Sequence, residues 1–189
     1  MSLPFKEKTV EQKEPEAMRL KKMDLLSDFE SVEIKKLEGG DAKDVHRIML
    51  KTLWEATEQQ AAEVIKSGFS YGAYVERMLV GAGLAWPTNF DGEKAAMSNA
   101  EPNALYFEDV ALLLAYEGRG IRRMLTAERE KAARAAGFQY AIALISPDWK
   151  GNISEMIRER GNKTEKEYLG LGYSFVQGKD GTFAVKRLV

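Results

Sequence analysis

The stretch Leu105–Gly137, LYFEDVALLLAYEGRGIRRMLTAEREKAARAAG, decides the fold. Val110–Ala115 is a continuous apolar run, Gly118-Arg119-Gly120 is a tight glycine turn, and Ile121 opens a helical pattern that stops at Gly137. A buried strand that passes through glycines into a helix sets unobstructed N–H groups at the positive end of the helix dipole. The segment therefore reads as a site for phosphate or pyrophosphate. Beyond Gly137, Phe138–Ile145 (FQYAIALI) reads as a second buried strand. Strand, helix, strand makes a right-handed crossover between parallel strands.

Working outward, the spacing predicts antiparallel pairs on both sides of this unit. Phe69–Glu76 and Met78–Trp86 read as strands joined by a tight turn at Glu76-Arg77. Gly81 and Gly83 point to a bulge or a close backbone approach. Pro87–Asn103, PTNFDGEKAAMSNAEPN, reads as a long polar loop placed to cover an acceptor site. Val32–Leu37 is a short strand. Asp41 follows as a helix N-cap with Asp44 in the capping-box place, and the helix should run to about Trp54. A second helix is expected over Thr57–Lys66. Residues 146–161 read as irregular or helical, 162–169 as a short helix, and Gly178-Lys179-Asp180-Gly181 as a hairpin turn before the last strand. The order is that of a mixed α/β sandwich. Residues 1–30 form an N-terminal extension, partly helical on a stripe of Met18, Met23, Leu25, Leu26 and Phe29, ahead of a domain over residues 31–189.

Composition removes whole classes of chemistry. There is no cysteine, which excludes disulfides, thiolate nucleophiles and cysteine metal sites, and which fits a cytoplasmic location. One histidine, His46, excludes a multi-histidine metal site; it reads as a helix-surface or interhelix residue. Lys+Arg is 28 against Asp+Glu 29, so the basic excess of a duplex nucleic-acid binder is absent. No apolar run approaches the roughly 20 residues that span a bilayer, and the charged start MSLPFKEKTVEQKEPE does not read as a signal peptide.

Two places in the chain together resemble the GNAT superfamily of acetyl-CoA-dependent N-acetyltransferases. The first is V110-A-L-L-L-A-Y-E-G-R-G-I-R-R-M-L125, similar to the family's acyl-CoA strand, pyrophosphate loop and helix. Against the pattern Arg/Gln-x-x-Gly-x-Gly/Ala, Glu117 takes the first place, Gly120 the central glycine and Arg122 the last, so two of three fixed positions differ. The second is Y168-L-G-L-G-Y173, similar to the family's Tyr-x-x-x-Gly-Phe/Tyr, matching at all three positions. The resemblance implies a mixed, mainly antiparallel sheet of about seven strands flanked by helices, with a central strand–glycine loop–helix acyl-CoA site. It implies acetyl-CoA as cosubstrate, no metal, transfer to a primary amine by direct attack, and a small-molecule or peptide acceptor with neither nucleic acid nor membrane as partner. Dimers are common in the family.

The resemblance also distributes roles. The amides of Gly118, Arg119, Gly120, Ile121, Arg122 and Arg123 would wrap the pyrophosphate. The backbone of Val110, Leu112 and Leu114 would pair with the pantetheine and polarise the thioester carbonyl. Arg119 and Arg122 have the charge to pair with phosphate oxygens, whereas Glu117 is unfavourable there unless it points away or pairs with Arg119. Tyr168 matches the family's general acid. Glu108 and Asp109 precede the apolar run on opposite strand faces; Glu108 is the preferred general base and Glu76 a weaker alternative. The acidic residues Glu108, Asp109, Asp91 and Glu93 suit a cationic acceptor such as a polyamine, aminoglycoside, amino acid or protein N-terminus. Glu117 and Arg122 favour a competing reading, a non-catalytic acyl-CoA-binding or sensing module. A nucleotide-binding α/β protein is disfavoured, because the turn lacks the P-loop Lys-Ser/Thr.

Overall fold

The computed structural model describes residues 31–52, 56–145 and 151–189, all but the first of them within a compact unit, Val32–Val189. The expected N-terminal helix, the end of the first helix near Trp54, and residues 146–150 lie outside the described residues. The described residues form ten strands: β1 Glu33–Lys36, β2 Tyr71–Val75, β3 Met78–Gly83, β4 Ala85–Asp91, β5 Ala96–Ser98, β6 Ala104–Phe107, β7 Ala111–Leu112, β8 Tyr140–Ile145, β9 Ser174–Gly178 and β10 Gly181–Arg187. The helices are α1 Ala42–Lys51, α2 Glu58–Lys66, α3 Ile121–Ala135, α4 Ile153–Arg160 and α5 Lys163–Gly170. Among the described residues, no helix is long and apolar enough to cross a membrane.

The architecture is the expected mixed, mainly antiparallel one, divided into a four-stranded sheet (β1-β2-β3-β7) and a six-stranded sheet (β5-β4-β6-β8-β10-β9). The division falls inside the organising stretch. β6 runs parallel to β8, with Tyr106 opposite Ile142. After a break over residues 108–110 the chain no longer follows β8, and β7 pairs with β3, Leu112 opposite Gly81. The apolar run Val110–Ala115 is therefore a strand for two residues only. Leu114 lies in a 3₁₀ turn, Leu114–Tyr116, and is 88% exposed.

Local chemistry explains most boundaries. Thr57 and Gln60 form a reciprocal capping box at α2, and Asn162 and Glu165 form another at α5. The Glu76-Arg77 turn has both residues at positive φ (48° and 69°), the geometry whose twist suits a two-residue hairpin. Gly83 sits where a Cβ would lie 3.0 Å from Arg129 Nε, and Gly81 where one would lie 2.8 Å from Leu112 Cδ1. The β2–β3 register also shifts between Ala73 and Tyr74, so the two glycines mark both a bulge and a close approach.

Two expectations are corrected. Pro87–Asn103 is not a loop: it carries most of β4, all of β5 and the turn between them. Asp91 Oδ1 accepts hydrogen bonds from the amides of Glu93 and Lys94 and closes that turn, and Phe90 packs inward at 2% exposure. The Asp91-Gly92 pair was the hairpin signal. At the first helix, Asp41 does not cap with its side chain; it accepts from the Glu38 amide across the turn Gly39–Asp41. The six-stranded sheet curls until the turn before β5 reaches β9 at its other edge. A Cβ on Gly178 would lie 2.0 Å from the Ala95 carbonyl oxygen. Phe90, Tyr106, Ile142 and Phe183 fill the inside of this curl. Leu105, Phe107, Ala141, Ala143 and Tyr173 face the other way, in one cluster with Ala133 of α3 and Tyr168 of α5.

Candidate active site

Where β7 departs from β8, a wedge opens between the strands. Arg129 of α3 fixes the point of departure. It is fully buried and donates hydrogen bonds to the carbonyls of Leu84 (3.0 Å) and Glu108 (2.8 Å) and to Thr126 Oγ1 (3.2 Å). Its guanidinium carbon lies 4.5 Å from the centre of the Phe107 ring. Leu84 is the residue between β3 and β4, and Glu108 the residue after β6. The cation therefore ties together the places where both strands change sheet. The sequence held a signal for it: Ile121, Leu125, Arg129 and Ala133 repeat every four residues on the buried stripe of α3, and one of them is charged.

Glu108 and Asp109 point to opposite sides of the break, as alternation requires. Glu108 enters a cavity of about 340 Å³ with Met49, Gln60, Val64, Leu84 and Trp86 on its walls. Burial raises its pKa above the ordinary carboxylate value, partly offset by the hydrogen bond from the Asp109 amide. Asp109 lines the other side, with Tyr168, Thr164, Ala143 and Ile145, around a cavity of about 160 Å³. Tyr168 is 6% exposed and packs edge-on against Tyr173, ring centres 4.8 Å apart. Burial pushes its hydroxyl up to about 12, so it stays protonated at neutral pH. Tyr173 donates to Glu130 Oε1 (2.9 Å), which Lys186 also contacts, so the second aromatic of the C-terminal motif anchors α5 to α3 and β10. Tyr106 was not singled out from the sequence. It stacks on Trp86 at 4.6 Å, and burial, then the nearby Glu108 charge, raises its hydroxyl pKa.

The glycine loop combines an open backbone with occupied side chains. Gly118 and Gly120 are both left-handed (φ 80° and 76°), a Cβ on either would meet nothing within 4 Å, and α3 has no side-chain N-cap. Its first-turn amides thus remain available to an anion, with Ile121 buried behind them. The side chains are arranged otherwise than expected. Glu117 does not pair with Arg119, which donates to the Ala115 carbonyl (2.9 Å) and lies over Tyr116. Glu117 instead accepts two hydrogen bonds from Arg122 (3.0 and 3.2 Å) and pairs with Lys163 at the start of α5. Burial works to raise its pKa, but Lys163 and Arg122 outweigh that and hold it below the ordinary value. Arg122 also donates to Asp109 Oδ1 (3.0 Å), and the same oxygen accepts from the Val110 amide (2.8 Å). Glu167 adds a third carboxylate beside Arg122, and its Oε1 is buried without a hydrogen-bond partner. Arg123 is exposed at the mouth of the loop, and Val110 and Leu112 are buried. Glu76 lies in the β2–β3 turn at the far end of β3 from the break.

No family model matches the sequence, and no curated protein matches it in sequence. Solved structures match in fold. A GCN5-related N-acetyltransferase from Kribbella flavida aligns at 15% identity and TM-score 0.59 over 80% of this chain, which spans only 35% of that longer protein. A GNAT family acetyltransferase from Brucella melitensis in complex with acetyl-CoA aligns at 15% identity and TM-score 0.53 over 84% of this chain and 89% of its own. GphF, a GNAT-like decarboxylase in complex with isobutyryl-CoA, aligns at 14% identity and TM-score 0.59 over 83% of this chain and all of its own. The chain has the GNAT fold. A fold shared by transferases and a decarboxylase leaves the reaction to be argued from this chain's own residues.

Proposed function

We propose that the protein is an N-acetyltransferase that moves the acetyl group of acetyl-CoA to a primary amine in a ternary complex. The observation that carries the reading is the break at Glu108–Val110, which sets an acidic side chain on each face of one strand beside an uncapped, glycine-led helix. The acetyl-CoA-bound structure of the same fold supports the choice of cosubstrate. The residues present fit it: the amides around Gly118, Gly120 and Ile121 are open to a pyrophosphate, and Arg122, Arg123 and Lys163 supply cations close by. In the wedge, the unpaired edge of β8 at Ala143–Ile145 faces the space a pantetheine would take.

Amine acylation forms a C–N bond and breaks a C–S bond. Two protons leave the nitrogen, one from the ammonium before attack and one from the tetrahedral adduct, and the thiolate takes up one, so one is released to solvent. Glu108, its proton affinity increased by burial, takes the proton of the ammonium; Tyr168, protonated throughout the neutral range, protonates the thiolate and is restored by the proton that leaves the adduct. The test couples two measurements. Acetyl-CoA at a hundred times its dissociation constant should stabilise the fold by about 2.7 kcal/mol, and thiol release should then require an added amine. An absence of any thermal shift sinks the reading.

A second reading has its own observation. Glu117 and Asp109 occupy Arg122, Lys163 and the Val110 amide, the groups a bound acyl-CoA would use, which suits a module that binds weakly and senses. Cosubstrate binding without amine-dependent thiol release would favour it. The same geometry predicts the sign of one variant. Glu117→Gln should tighten acetyl-CoA binding by about two- to fivefold, the scale of one partly exposed ion pair, because two cations are released to phosphate. Calorimetric titration measures this, and weaker binding would show that the Glu117 pairs instead hold the loop in its competent shape.

A further inference from the structure

We propose that the acceptor is a small primary amine with a single positive charge and an apolar body, seated in the cavity between α1, α2 and β4 with its nitrogen at Glu108. The inference rests on the acyltransferase reading above and names its substrate class. The four acidic residues that suited a cationic acceptor do not converge. Asp91 is engaged in the β4–β5 turn with Lys94, where Glu93 also lies. Asp109 faces the opposite side of the strand and holds Arg122. Glu108 alone among the described lining residues brings a negative charge into this cavity; the others are apolar save Gln60.

Two features make the cavity a site rather than a gap in packing. Glu108 is half-buried, and no described cation lies within ion-pair distance of it. Among the described residues its carboxylate accepts one hydrogen bond, from the adjacent Asp109 amide (3.2 Å). A carboxylate in apolar surroundings without an ion-pair partner is costly; Arg129, held on the Glu108 backbone carbonyl, offsets only part of that cost, and a ligand ammonium removes more. Trp86, stacked on Tyr106, presents an aromatic surface next to the carboxylate, suited to an alkylammonium and to the carbon chain behind it. The volume of about 340 Å³ is at the small end for ligand pockets, enough for an aryl- or alkylamine and unsuited to an aminoglycoside. A second or third ammonium of a polyamine would meet Met49, Val64 and Leu84, apolar side chains that do not compensate its desolvation.

The test uses the full chain with acetyl-CoA and a matched panel: 2-phenylethylamine and hexylamine against spermidine, lysine and kanamycin. Thiol release gives kcat/KM, and calorimetry in the presence of CoA gives amine binding independently of transfer. The apolar monoamines should be preferred about tenfold or more. Val64→Asp should reduce that preference at least tenfold by improving spermidine and weakening 2-phenylethylamine, with acetyl-CoA affinity unchanged. Equal or better use of the polycations, or a Val64→Asp enzyme with unaltered selectivity, overturns the proposal. Amines that bind in the stated order without being acetylated support the pocket's chemistry and remove the transferase reading instead.

Discussion

Arg129→Met is expected to lower stability by about 3 kcal/mol, the largest effect of any single substitution considered. Methionine fills similar space, so the loss is electrostatic rather than a cavity. Arg129 is a buried cation whose hydrogen bonds go to carbonyls and a hydroxyl. Leu84 O would keep the Glu108 amide as a donor at 3.1 Å, whereas Glu108 O would lose the bond from Arg129. Hydrogen bonds to a charged group contribute about 1.5–3 kcal/mol each, and an orphaned acceptor costs about 1–3. Relief of the arginine's own desolvation offsets part of that. For a chain of this size the melting temperature should fall by roughly 10 °C, with the urea midpoint lowered and its slope unchanged. A shift under about 1 kcal/mol would mean that the sheet break holds without the cation. The variant carries a second readout. The Arg129 charge also lowers the Glu108 pKa, so its removal should move the acidic limb of the activity profile to higher pH.

Tyr168→Phe is expected to lower kcat about a hundredfold while leaving acetyl-CoA binding within a factor of about two, the scale of one general acid. Burial, countered by Arg129, sets the hydroxyl at about 12, so the group is a proton donor across the whole assay range and adds no limb of its own near neutrality. Glu108→Gln tests the other proton. A base works only when ionised, and burial holds Glu108 above its ordinary 4.5, so kcat should fall as pH drops through that raised value. The glutamine enzyme should be slow and should lack this acidic limb. Undiminished turnover in Tyr168→Phe would reduce the tyrosine to its packing contact with Tyr173. A limb that survives Glu108→Gln would assign the base elsewhere, Asp109 first.

Much of the fold was legible because its signals are local. The Gly118-Arg119-Gly120 turn, the helical pattern that opens at Ile121, the Glu76-Arg77 hairpin and the second helix near Thr57–Lys66 each depend on a few adjacent residues, and each stands where the sequence placed it. The Tyr168 and Gly172-Tyr173 motif was legible for the same reason: glycine at φ 81° ends α5 and sends the chain into β9. The misreadings had longer-range causes. Pro87–Asn103 looked like a loop because its polar residues outnumber Phe90, Ala95 and Met97. The inward face of a curled sheet needs few apolar residues when the opposite edge at Gly178 closes over them. Leu114 looked like strand because apolar runs do not record where a neighbouring strand ends.

The site divides along the same line. The amino-acid sequence by itself determined the chemical inventory: no thiol and one histidine, a glycine-led helix, a carboxylate pair before a strand, and a tyrosine at a helix end. Alternation alone sends Glu108 and Asp109 to opposite faces, since that is a property of any extended chain. Tertiary structure alone decided which face is which. It brought α1 and α2 over Glu108, making a cavity in which Glu108 is the one charged side chain among the described lining residues. It brought α5 over Asp109, so that Lys163 reaches Glu117 and Tyr168 reaches the wedge. Residues 46 positions apart, Glu117 and Lys163, share an ion pair that no pattern of spacing encodes. The physical reason is that pKa, counter-ion and cavity shape are set by what packs against a residue, and packing joins segments the sequence keeps far apart.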